Sequence, residues 1–167
     1  MISGLLTLAA VGLLAGMGMA YRAPKAWLAG TIAGAASALA VAVWVLVTGE
    51  TWECIGRFQI GGQQPHLRLD GISAFFLALL AVVGASATAY SREYWPDSAH
   101  PVSAPAGRLW WNSLLLCMGF VLICANGLHF LIAWELFTVS AYFLITLQRS
   151  RVEVRKAGWL YLGASHA

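Results

Sequence analysis

Apolar residues fall in long runs. Five of them, at 2–21, 27–47, 71–91, 109–125 and 128–147, are separated by short polar stretches, and a sixth occupies 154–167. Twenty residues of helix at 1.5 Å rise cover about 30 Å, the hydrocarbon thickness of a bilayer. The pattern therefore predicts an all-α polytopic bundle: five complete transmembrane helices and a sixth of about 14 residues, short of the roughly 20 a span needs. Small residues recur one turn apart within the first two runs, at Gly12, Gly16 and Ala20, then at Gly30, Gly34, Ala38 and Ala42. Such stripes let helix backbones approach closely.

The polar stretches predict the rest of the architecture. Between 48 and 70, Gly61-Gly62 reads as a tight turn, and its flanks as a β-hairpin lying outside the membrane. Asp70 precedes the third run and is placed to cap its helix. The loop 92–108 contains Pro96, Pro101 and Pro105 and is expected to be irregular. Trp95, Trp110 and Trp111 are expected as interfacial anchors, and Asn126-Gly127 as a turn. With alternating spans, Arg22, Lys25, Arg92, Arg108, Arg149, Arg151, Arg155 and Lys156 share one side, and only Arg57 and Arg68 the other. The positive-inside rule puts the basic side in the cytoplasm. The N-terminus and the hairpin are then outside an inner (cytoplasmic) membrane.

Composition agrees: 60% of residues are hydrophobic, 10% are charged, and mean hydropathy is +0.73, against roughly 25% charged in soluble domains. The net charge of +3 lies in short loops between apolar runs, so it does not point to nucleic acid. Three cysteines, with no CxxC and no His/Cys pair at ligand spacing, predict neither a metal site nor a disulfide framework. No phosphate loop, dinucleotide fingerprint or cluster ligand set appears. The chain is expected to hold no cofactor and no redox centre.

One acid stands out. Glu135 lies near the middle of the fifth run, where an ionised carboxylate costs on the order of 3 kcal/mol. Acids kept at that depth usually serve ions or protons. On a helical wheel Thr138, Tyr142 and Thr146 fall within about 60° of Glu135, and Arg149 continues the stripe. Glu135 is read as a proton carrier, and the three hydroxyl-bearing side chains as the lining of a cytoplasmic half-channel. The competing reading makes Thr138 and Thr146 backbone-bonding residues of the helix interface. His129, at the outer end of the same helix, suits an interfacial or capping role as well as proton relay. His66 and His100 lie in loops and read as solvated.

Three segments carry a family resemblance. They are LRLDGISAFFLALLAVVGASATAYSREYW, LLLCMGFVLICANGLHFLIAWELFTVSAYFLI and AGWLYLGASHA. They resemble the antiporter-like membrane subunits of respiratory complex I, membrane-bound hydrogenases and multisubunit cation/proton antiporters. The specific features are the Asp70-Gly71 opening of the third span with Phe75-Phe76, the Trp134-Glu135 pair, and Ser165-His166. AGWLYLGASHA looks closest to the large membrane subunit of hydrogenase-4 and formate hydrogenlyase. The resemblance covers about residues 67 to 167.

It implies a proton-translocating subunit of fourteen or more helices, built on two inverted five-helix repeats. In that family the Glu matching Glu135 pairs with a Lys two helices further on, and His166 is drawn toward the proton path as a relay. This chain carries no such Lys and no second repeat, so it is expected to be the N-terminal part of a longer subunit. The implied partners are other membrane subunits of a respiratory or hydrogenase complex, the lipid bilayer and protons. The alternatives are a cation/proton antiporter subunit, or a structural membrane fragment without transport.

Overall fold

The computed structural model describes residues 1–166. Its elements are α1 (Ile2–Met19), α2 (Pro24–Thr48), β1 (Trp52–Ile55), β2 (His66–Leu69), α3 (Gly71–Tyr94), α4 (Ser103–Ile123), α5 (Gly127–Ile145) and α6 (Val152–Ser165). The first five helices are long and apolar enough to cross a membrane, and α6 has 14 residues. The chain is a multi-pass, all-α membrane protein. Large apolar side chains such as Leu8, Val11, Phe75 and Val83 are about half exposed on the outside of the bundle, as a surface solvated by lipid requires.

The small-residue stripes bring α1 and α2 into backbone contact. A Cβ at Gly12 would lie 2.8 Å from the Gly30 carbonyl oxygen, and one at Gly34 would lie 2.9 Å from that of Ala9. Polar residues then lock the bundle. Asn112 of α4 is fully buried. Its Oδ1 accepts from Trp27 Nε1 (3.1 Å) and Thr31 Oγ1 (3.0 Å) of α2, and its Nδ2 donates to the Leu13 carbonyl of α1 (3.0 Å). A single amide thus ties three helices together. Trp111 Nε1 donates to Thr88 Oγ1 of α3 at 2.7 Å, and Trp110 stacks on Phe143 of α5. These two tryptophans link helices where interfacial anchoring had been expected.

The hairpin forms as the Gly-Gly signal implies. β1 and β2 pair antiparallel with Glu53 opposite Arg68. Gly61 and Gly62 have φ of 58° and 79°, the left-handed pair that a two-residue turn matched to strand twist requires. Asp70 caps α3 by accepting from Ser73 N at 2.9 Å. That amide holds the Asp70 carboxyl below its ordinary value, with the Arg68 charge as a lesser cause.

One boundary moves. α4 begins at Ser103, inside the stretch expected to be irregular, and includes Pro105 in its first turn. The first four amides of a helix have no intrahelical acceptor, so proline's missing N–H costs nothing there.

Contacts sort the helix ends into two sets. At one end Trp52 Nε1 donates to Ser3 Oγ, Ala125 N to the His66 carbonyl, and Asn126 Nδ2 to Gln63 Oε1. At the other, Arg108 donates to the Ala20 carbonyl and, through two nitrogens, to Asp97 at 2.9 Å each. A Cβ at Gly107 would touch Leu147 there. The N-terminus and the hairpin therefore share one end, and the basic loops share the opposite end.

Candidate functional site

α5 starts on a cap: Asn126 Oδ1 accepts from Leu128 N at 2.9 Å and His129 N at 3.4 Å. Eight residues further along, Glu135 sits midway down the helix. α6 returns alongside, and its C-cap residue His166 reaches Glu135, with Nε2 to Oε2 at 2.7 Å. The structure thus brings the acid and the imidazole of the site into direct contact. Their side chains are 52% and 43% exposed, on a face flanked by Leu131, Ile132 and Trp159.

The other imidazole nitrogen decides what the pair can do. His166 Nδ1 lies 2.8 Å from the Leu162 carbonyl, and a carbonyl only accepts, so Nδ1 carries a hydrogen. A single remaining proton is then shared between Nε2 and Oε2. On Nε2 it makes an imidazolium–carboxylate ion pair; on Oε2 it makes a carboxylic acid bonded to a neutral ring. Moving it between them shifts one proton across one hydrogen bond and displaces no other atom.

The hydroxyl stripe is placed as follows. Thr138 and Thr146 are each 1% exposed. Thr138 Oγ1 donates to the carbonyl of Glu135 at 2.8 Å or of Trp134 at 3.2 Å, and Thr146 Oγ1 to that of Tyr142 at 2.8 Å. Both hydroxyls are held on α5's own backbone, as the helix-interface reading describes. Gly158 of α6 seats against Thr146 and Tyr142, where any Cβ would collide. The Tyr142–Thr146 part of the stripe is a seam between α5 and α6. Arg149 lies over the Phe143 ring at 4.9 Å.

Sequence reasoning singled out Glu135 and His166 separately and did not pair them. A signal existed. Glu135 lies ten residues before the end of α5 and His166 fourteen after the start of α6. In an antiparallel pair these depths differ by about 6 Å, close to one turn.

No protein-family model matches the chain. Over 101 residues, 60% of its length, it is 26% identical to hydrogenase-4 component B of Escherichia coli (strain K12). In structure it is similar to a chain of the membrane-bound sulfane sulfur reductase, an archaeal respiratory membrane complex. The TM-score is 0.63 and the identity 20%, over 84% of this chain. The resemblance to the antiporter-like membrane subunits of respiratory complexes holds. The chain spans only 15% of the length of the hydrogenase component and 23% of the reductase chain. The matches therefore bear on a part of each.

Proposed function

We propose that this chain is the N-terminal part of a proton-translocating membrane subunit in a redox-driven complex, of the NADH:quinone oxidoreductase or membrane-bound hydrogenase type. The observation that carries the reading is the Glu135–His166 contact at 2.7 Å. It puts a one-proton exchange unit midway along a membrane helix. Keeping a carboxylate at that depth is costly, which favours function over accident. The similarity to hydrogenase-4 component B and to a chain of the sulfane sulfur reductase supports a setting among other membrane subunits. Redox chemistry then belongs to those partners, and this chain contributes proton movement.

The same reading orients the protein in an inner membrane, with the basic loop end in the cytoplasm and the N-terminus and hairpin outside. α5 then runs inward. Thr138, Tyr142 and Thr146 lie between Glu135 and the cytoplasm, and protons reach the pair along that seam when α6 shifts on its Gly158 seat.

The test is proton transport by the intact complex in inverted vesicles, wild type against Glu135→Gln. Gln keeps the volume and hydrogen-bonding capacity of Glu but cannot titrate. Transport is expected to collapse while assembly persists. Normal transport by Glu135→Gln would show that the acid is structural and sink the reading.

A further inference from the structure

His129 is 8% exposed, and neither of its ring nitrogens has a hydrogen-bond partner among the described residues. Asn126, not His129, caps α5, and the His129 ring is buried within the first turn of the helix. An imidazole with both nitrogens unsatisfied in a membrane protein is expensive, and such groups mark ligand or proton sites.

Its surroundings say which. At about 100° per residue, His129 lies roughly 120° around α5 from Glu135. It shares a buried face with Ala133 and Ser140. Ser140 Oγ is 2.8 Å from Ser113 Oγ of α4, so this face meets α4. The titratable and charged groups on these neighbouring elements are Arg108 and Cys117 on α4 with Cys124 at its C-cap, Glu53, Cys54, Arg57, His66 and Arg68 on the hairpin and its loop, and Glu153, Arg155, Lys156, Tyr161 and His166 on and just after α6. None of them bonds the His129 ring, and His166 is held on Glu135. Only one turn of helix separates His129 from the exposed Asn126–Gln63 contact at the hairpin end.

We propose that His129 is a second proton-exchange site, distinct from the Glu135–His166 pair. Water held in the α4–α5 seam bonds its ring, and the site opens to the hairpin side of the membrane. The ring takes a proton at one nitrogen and releases one from the other, ending neutral. The proposal extends the proton function proposed above, and its first test is independent of transport.

That test is solid-state NMR of the membrane-embedded complex carrying 15N-histidine. The His129 signals are assigned by their loss in His129→Gln. Should that variant not assemble, they are assigned by their loss in His129→Asn, whose smaller amide fits the same space. The expected result is a ring in contact with water that exchanges deuterium from the hairpin side. A dry ring that does not exchange overturns the proposal, whatever Glu135→Gln does. In inverted vesicles, His129→Gln is expected to slow proton transport at least ~10-fold. Unchanged transport overturns the relay role.

Discussion

The seat of α6 on α5 is one glycine wide, which makes Gly158→Ala an informative perturbation. The added methyl would run into Thr146 Cγ2 and would stand 2.9 Å from Tyr142 Cε2. That is about 0.5 Å or more inside ordinary carbon contact. Overpacking of this kind costs about 1–3 kcal/mol, because neighbours must leave their rotamers or the helix must move. Movement is the easier course, since α6 touches the described residues mainly along α5. Gly158 lies eight residues, about 12 Å, from His166 on the same helix. A displacement of α6 by half an ångström stretches the 2.7 Å contact to Glu135 beyond its optimum, and a tilt breaks it. Gly158→Ala is therefore expected to lower thermal stability in bilayers, to change the carboxyl infrared band of Glu135, and to reduce proton transport. Thr146→Ser removes the Cγ2 methyl and keeps the hydroxyl, so the double variant should recover part of all three. If Gly158→Ala matches wild type in stability and in the infrared band, α6 does not seat here and the pair is not fixed by this seam.

Two further outcomes follow from the scaffold. Asn112→Leu removes three hydrogen bonds, each worth about 0.6 kcal/mol between membrane helices. The expected loss is about 2 kcal/mol of unfolding free energy in bicelles, with no larger orphan penalty, because Trp27 and Thr31 keep the Arg108 and Trp27 carbonyls as acceptors. Asp70 has its folded pKa depressed by the Ser73 amide, so its stabilisation is complete above the unfolded value of about 3.9 and is lost as pH falls through the folded one. Hydrogen exchange at the start of α3 should rise in that acid window, and Asp70→Asn, which still caps, should remove the dependence.

The membrane architecture was legible because hydropathy and helix length are local. A run of twenty apolar residues has few alternatives once it leaves water, and Gly61-Gly62 selects its turn without help from the rest of the chain. The start of α4 was less legible, because Pro105 reads as loop when it is the third residue of a helix. At the site, a wheel groups Thr138, Tyr142 and Thr146 on one face, but it does not say what covers that face. Gly158 closes it, and Gly158 is an ordinary small residue until α6 is docked. The burial of His129 was hidden for the same reason. Asn112 offered a readable sign, since an amide inside an apolar run needs partners on neighbouring helices.

The outward pair stands apart from the other polar side chains of the bundle. Among α1–α4, the buried polar side chains Asn112, Thr31 and Thr88 find partners inside the bundle, and these helices form a scaffold. On α5, Thr138, Ser140 and Thr146 are likewise satisfied within the bundle, whereas Glu135 and His166 face outward, bonded to each other and, through His166 Nδ1, to the Leu162 carbonyl. Moving the shared proton creates or removes one pair of opposite charges. A polar or charged group laid over the α5–α6 face by a neighbouring helix therefore couples to the pair with no rearrangement of the scaffold.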